Sequence, residues 1–159
     1  MNLKQLIGKN NKIDIVDDEI TEENFPYQKV RGTDYKLFHI SERTKSKKIV
    51  SEMEKEGYVP ATLYELLSWG GWEPFIKNGQ DKMVALGSSF TNTYGYRNVV
   101  CICKSQRGYD LSTVAWDVEW EEQEIFLGCA TGTTKNTKQN FIRVVFRKLL
   151  KVVKKLRIC

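Results

Sequence analysis

Apolar residues recur along this chain with two periods, helical in the first half and alternating in the second. An inner apolar stripe predicts a helix over 44–56, and leucines on one face predict a shorter helix from Leu63 to about Trp69. The stripes are Ile49, Val50 and Met53 in the first helix and Leu63, Leu66 and Leu67 in the second. Both helices are therefore expected to pack an apolar face inward.

Beyond about residue 80 the apolar residues alternate with a period of two, which is typical of strands. Four strands are predicted there, at 83–86, 98–103, 109–116 and 124–129, and a fifth, with apolar groups on both faces, at 35–40. Turns rich in Asn and Gly at 92–95 and 105–108 and the close spacing favour an antiparallel arrangement. We therefore expect an α+β fold: an antiparallel β-meander of about four to five strands, two N-terminal helices packed on one face, and a basic amphipathic C-terminal helix.

The stretch GYVPATLYELLSWGGW, residues 57–72, carries the most specific local signals. Thr62 and Glu65 have the spacing of a capping box, in which the threonine accepts a hydrogen bond from a backbone N–H and the glutamate reaches back. Pro60 favours an extended approach to this helix, and Gly70 favours its end. We interpret the stretch as architectural, a capped helix between two turns, rather than as a binding or catalytic site.

The same stretch carries a resemblance to known proteins. Residues 52–67, EMEKEGYVPATLYELL, followed by VALGS at 84–88, resemble a group of small uncharacterised bacterial proteins with a GYxPATLxELL motif. More distantly, residues 60–71 are similar to the proline-threonine-led helix of the formylglycine-generating-enzyme branch of C-type-lectin-like domains. The resemblance implies a fold of that kind. It carries over no active site, because the cysteine pair of that enzyme and the calcium motifs of lectins have no counterpart here.

Length and composition predict a folded domain. The chain has 159 residues, of which 41% are hydrophobic and 11% aromatic, enough for one core. Its first 18 residues are too polar for a signal peptide, and no apolar run of about 18 residues exists, so we expect a cytoplasmic protein. We divide the chain into a loosely attached arm (1–27), an α+β core domain (28–130), a polar linker (131–140) and a basic amphipathic segment (141–159).

The cysteines and the single histidine do not have metal-site spacing. Cys101 and Cys103 lie two apart, on one face of a strand, and only His39 is available as a nitrogen ligand. We therefore expect no metal and no cofactor, with the thiols as small buried groups and His39 as a core residue. The alternative, a dyad of His39 with Cys101, Cys103 or Cys129, stays open as a route to a small hydrolase-type enzyme.

A second alternative site lies in AWDVEWEEQE, residues 115–124. In a strand, Trp116, Val118 and Trp120 face one way, and Asp117, Glu119 and Glu121 face the other. Paired carboxylates beside tryptophans also occur in glycosidases. Because acids on the outer side of a half-buried strand are commoner, we expect the tryptophans to be at least partly buried and the acids solvated. Glycine-rich phosphate loops, paired-histidine motifs and serine elbows are absent, so an enzyme is the less favoured class.

Charge divides the chain sharply. Residues 1–134 hold 16 Lys or Arg and all 20 Asp or Glu, a net charge of −4, whereas residues 135–159 hold nine Lys or Arg and no acid. If residues 141–159 form a helix, their apolar side chains lie on one side of it. The first part, residues 141–147, also has the alternating pattern of a strand. Seven basic residues are the candidate anion-binding groups: Arg143, Arg147, Lys148, Lys151, Lys154, Lys155 and Arg157.

This charge division sets the expected function. We expect a non-catalytic binding or interaction module whose basic C-terminal segment contacts an anionic partner: a protein, a nucleic acid or a membrane surface. Aromatic residues that could stack on bases are not interleaved with these cations, which disfavours sequence-specific RNA recognition. A structural subunit of a larger assembly is the remaining alternative.

Overall fold

A computed structural model describes residues 1–76 and 82–132. Three helices lie in it: α1 (Leu3–Lys9), α2 (Ser46–Lys55) and α3 (Leu63–Trp69). The strands are β1 (Ile13–Val16), β2 (Tyr35–His39), β3 (Thr44–Lys45), β4 (Tyr58–Pro60), β5 (Lys82–Thr91), β6 (Arg97–Lys104), β7 (Tyr109–Ala115), β8 (Glu119–Trp120) and β9 (Ile125–Ala130). No helix of the described residues is long and apolar enough to cross a bilayer.

Seven strands form one mixed sheet, and β3 and β8 form a separate two-stranded ribbon. The order in the large sheet is β1-β7-β6-β5-β9-β2, with β4 also pairing with β9. Neighbours are antiparallel except β1 with β7 and β5 with β9, which are parallel. The predicted meander of four to five strands is therefore wrong. Only β5, β6 and β7 follow it, because β9 returns across the sheet and pairs with the far side of β5.

The return to β9 passes through residues 116–124. Since β7 and β9 run in the same direction, this segment must cross one face of the sheet from the end of β7 to the start of β9. A turn at 116–118 ends β7, so the alternation there does not belong to one strand. Trp120 is nonetheless buried at 1% exposure, and Trp116 packs partly against the same core, whereas Asp117 and Glu119 are exposed. The predicted burial of the tryptophans and the solvation of Asp117 and Glu119 are confirmed, whereas the single alternating strand from which they were predicted is not present.

The two predicted N-terminal helices, α2 and α3, lie on opposite faces of the sheet. The core on the first face contains Leu63, Leu66 and Leu67 of α3, and the core on the second face contains Ile49 and Met53 of α2. The expectation that both helices share one face is wrong. Its physical reason is β4, which enters the sheet between the two helices and so carries the chain from one face to the other.

Residues 1–27, expected as a loosely attached arm, contribute to the first-face core. Leu3, Leu6, Ile20 and Phe25 are all buried there. Asn2 and Gln5 form a capping box at the start of α1, which fastens its first turn. β1 then adds a parallel edge strand beside β7. The arm differs from its expectation because several of its apolar residues, which are far apart in sequence, meet in the same core.

The large sheet splits where β4 enters. β5 bulges between Ala85 and Ser89 and there leaves β9. The backbone of Ala61 fills the gap, because its N–H donates to the carbonyl of Leu127 and its carbonyl accepts from the N–H of Gly87. Only glycine fits at position 87, because a Cβ there would lie 2.4 Å from the carbonyl oxygen of Pro60. This junction sets the position of Thr62 and the start of α3. The capping box predicted between Thr62 and Glu65 is confirmed.

Candidate functional site

The histidine and the cysteines of the described residues lie apart. His39 ends β2, and β9 and β5 separate it from the β6 strand of Cys101 and Cys103, so three strand spacings of about 4.8 Å intervene. Cys129 is paired with Tyr35, four residues or about 13 Å along β2 from His39. His39 is exposed on the rim of a cleft of about 150 Å³, contrary to its expected place in the core. The proposed dyad therefore has no geometric basis.

The environments of the thiols also disfavour nucleophilic chemistry. Burial raises the pKa of Cys101 to about 12 and that of Cys129 to about 11. Burial likewise raises the pKa of Cys103. Since the thiolate is the reactive form, these groups stay protonated and inert near neutral pH. Within the described ranges, no cluster of three or more His, Cys, Asp or Glu side chains could hold a metal ion.

No two of the three carboxylates proposed for a glycosidase-like site are arranged as a catalytic pair. Asp117 and Glu119 are exposed beside the turn that ends β7. Glu121 binds Arg43 across the β3–β8 ribbon at 2.6 Å, so it is engaged in a surface ion pair. A glycosidase needs one carboxyl group as the general acid and a second as the nucleophile or base, and the surroundings of these three carboxylates do not assign those roles.

Among the residues that the structure describes, one charged side chain is fully buried, and its role is structural. Glu65 of α3 accepts hydrogen bonds from the side chain of Arg31 at 2.8 and 2.6 Å and from two backbone N–H groups, those of Arg31 and Thr62. Burial alone would raise the pKa of Glu65, but the hydrogen bonds from Arg31 and Thr62 outweigh it and lower this pKa. The pair ties the 28–34 segment to the start of α3. Sequence spacing identified the cap but gave no sign of Arg31, which lies 34 residues away.

An exposed aromatic turn was missed by sequence reasoning, which identified residues 92–95 only as a turn. In this tyrosine turn (residues 92–96), which joins β5 to β6, Tyr94 is 83% and Tyr96 is 65% exposed. The backbone is closed by bonds from Asn92 N to Tyr96 O and from Gly95 N to Asn92 O. The Asn92 side chain accepts from the backbone N–H groups of both tyrosines at 3.0 Å, and Gly95 takes a positive φ of 83°. The turn therefore presents its two rings on a well-bonded backbone.

Neighbouring side chains support the base of this turn. The Arg97 guanidinium lies 3.9 Å from the ring centre of Trp116 and donates to Ser89 at 3.0 Å. The backbone N–H of Trp116 in turn donates to the carbonyl of Arg97. Arg97, the cation that follows the turn, is thus engaged with groups of the same domain.

The tyrosine turn and the end of β9 lie at the same end of the sheet, here called the hairpin end. β5 and β9 are parallel, so the end of β5 at Thr91 and the end of β9 at Ala130 point the same way. The bulge between Ala85 and Ser89 adds residues to β5, so by its pairing with β6 Thr91 lies four register steps beyond Val84, and Ala130 lies four residues beyond Phe126, the partner of Val84. β7 also ends there, which places Trp116 and Asp117 at the hairpin end.

All seven basic residues predicted to bind anions lie outside the described residues, as do the rest of 141–159 and most of the polar linker. The strand-or-helix question for 141–147 lies there as well. No protein-family model matches the chain, and neither a curated protein nor a solved structure matches it significantly. The resemblance of residues 52–67 to small bacterial proteins, and the fainter one to C-type-lectin-like domains, stay predictions.

Proposed function

We propose that this protein is a non-catalytic binding module whose basic C-terminal segment, residues 141–159, contacts an anionic partner. The observation that carries the proposal is the charge division: nine Lys or Arg and no acid after residue 134, against a net charge of −4 before it. An acidic domain weakly repels polyanions, so attraction has to come from the segment.

Ion pairing within the domain supports this assignment. Seven pairs occur among the described residues: Lys12–Glu73, Arg31–Glu65, Lys36–Glu56, Arg43–Glu121, Lys48–Glu42, Lys55–Glu52 and Lys82–Glu124. Many cations of the domain therefore already have an acidic neighbour, whereas the C-terminal cations have none in their own sequence neighbourhood. The separation of His39 from the thiols and the raised thiol pKa values favour binding over a hydrolase-type activity.

The test compares three proteins on immobilised heparin and on anionic vesicles at low salt. They are the full chain, a chain that ends at Thr134, and a full-length control in which the seven basic residues from Arg143 to Arg157 are changed to glutamine. The control keeps the length and the apolar residues of the segment. We expect only the full chain to be retained and its retention to fall steeply as salt is raised, because such binding rests on counterion release and unscreened charge. Equal retention of all three would refute the proposal.

A further inference from the structure

We propose that an open cleft beside the split in the large sheet binds the carboxylate group of a small organic acid. The cleft has a volume of about 380 Å³, within the range of ~300–1,000 Å³ that is usual for small-molecule sites. It lies between residues 28–31, which precede β2, and the junction of β4 with α3. The site belongs to the described domain and does not involve the C-terminal segment, so it goes beyond the proposed function.

Both stretches that carry the resemblance to small bacterial proteins contribute to the lining of this cleft. Val59, Pro60 and Thr62 come from the first stretch, and Gly87 comes from the second. The cap of α3 and the sheet junction account for the structural use of these residues, and the same junction also forms one side of the cleft. Val59 and Pro60 provide an apolar surface there, against which the hydrocarbon part of a ligand can pack.

Residues 28–31 bring hydrogen-bond donors to the cleft that the domain leaves unused. Arg31 uses its Nε and Nη2 atoms for a carboxylate and a backbone carbonyl, and its Nη1 makes no hydrogen bond within the described residues. Gln28 accepts from Ser88 through Oε1 at 2.6 Å, and its amide N–H groups have no acceptor in the described part of the chain. Lys29 is exposed and forms neither a hydrogen bond nor an ion pair with any described residue.

The hydrogen-bonding capacity of the lining favours a ligand group that accepts. No Asp or Glu of the described residues lines the cleft. Two side-chain oxygens of the lining already accept hydrogen bonds, Oε1 of Gln28 from Ser88 and Oγ1 of Thr62 from the backbone N–H of Glu65. Unused donors beside occupied acceptors suit a group that has lone pairs and no proton to donate. An ionised carboxylate is such a group.

The charge around the cleft favours a carboxylate over a phosphate. Glu65, which is buried, offsets the charge of the Arg31 guanidinium at 2.6 Å, so Lys29 is the uncompensated cation of the lining. One positive charge matches the single negative charge of a carboxylate. A phosphate monoester carries a larger negative charge at neutral pH, and the excess would lie near the buried carboxylate of Glu65, where like charges repel. The bonds that hold Arg31 in place also reduce the entropy that is lost when a ligand binds to it.

The experiment titrates the isotope-labelled full-length protein with butyrate and follows its backbone amide signals by NMR at physiological salt, which screens weak attraction to the basic segment. We expect affinity in the millimolar range, because one charged group and a short hydrocarbon chain provide little binding energy. The signals of Thr62 and Gly87 should shift, whereas that of Gly108, in the turn before β7, should not. Butyramide, which has the same shape without the charge, and inorganic phosphate should both bind more weakly. Binding of either compound as tight as that of butyrate would overturn the carboxylate as the ligand group.

Variants of Lys29 test whether the cleft is the site. Lys29→Gln should raise the dissociation constant for butyrate about three- to tenfold, because the uncompensated charge is lost, and Lys29→Glu should abolish binding. The matched control Lys47→Gln removes another exposed lysine, on α2 and outside the cleft, and should bind like wild type. Both lysines are exposed, so urea melts of all three variants should match wild type. An unchanged dissociation constant in Lys29→Glu, or the same loss in Lys47→Gln as in Lys29→Gln, would overturn the site and leave the role of the basic segment intact.

Discussion

Among the seven ion pairs of the described residues, the Arg31–Glu65 pair should contribute most to stability, so Glu65→Ala should lower the free energy of unfolding more than removal of any other acidic partner. Glu65 is fully buried and accepts four hydrogen bonds, two from the Arg31 side chain and two from the backbone N–H groups of Arg31 and Thr62. Breaking a buried pair by removing one partner costs about 3–5 kcal/mol. The Arg31 side chain keeps 39% exposure and can rehydrate, which places the expected loss near the lower end, about 3 kcal/mol.

The assay is urea unfolding followed by tryptophan fluorescence, with Glu73→Ala as the matched control. Glu73 pairs with Lys12, and both side chains are about half exposed, so its removal should cost no more than about 1 kcal/mol. The double variant Arg31→Ala/Glu65→Ala should lose clearly less than the sum of the two single changes, because neither partner is then left alone. A loss for Glu65→Ala no larger than that for Glu73→Ala would refute this account of the pair.

The same carboxylate predicts a pH dependence with a definite sign. The folded structure lowers the pKa of Glu65, so its contribution is fully present above its unfolded pKa of about 4.3 and is lost as pH falls through the lower folded value. Glu65→Gln removes this titration. The difference in unfolding free energy between wild type and Glu65→Gln should therefore shrink below about pH 4. A difference that stays constant from neutral pH into this acid range would contradict the assignment.

Five further substitutions, in three tests, probe the packing. Thr62→Ala should cost on the order of 1 kcal/mol through loss of the α3 cap, and an unchanged urea midpoint would mean that the cap does not stabilise the helix. Trp120→Ala should lower the free energy of unfolding by about 3–5 kcal/mol, and Trp116→Ala by clearly less, because Trp116 is only partly buried. A larger loss for Trp116→Ala than for Trp120→Ala in the same urea melts would show that residues 116–124 pack differently. Gly87→Ala should destabilise by about 1–3 kcal/mol through its clash with the Pro60 carbonyl, whereas Gly32→Ala, which meets no atom within 4 Å, should be nearly neutral.

Local signals in the sequence were enough to identify most individual elements. The capping box at Thr62 and Glu65 and the glycine after Trp69 place α3 at Leu63–Trp69, because caps act between residues three or four apart. Alternation likewise located β5, β6, β7 and β9 approximately, since side-chain direction in a strand depends only on the strand's own pleat. The division of charge at residue 134 needs no structure at all, because it is a count of residue types.

Tertiary structure alone decided how these elements combine. The same alternating pattern is compatible with antiparallel and parallel neighbours, so the return of β9 to β5 has no local signature, and neither does the passage of β4 between two helices. Arg31 could be assigned to Glu65 only after residues 34 positions apart were brought into contact. The tyrosine turn could be recognised only once the exposure of its rings was known, because a tyrosine in sequence is equally compatible with core and surface.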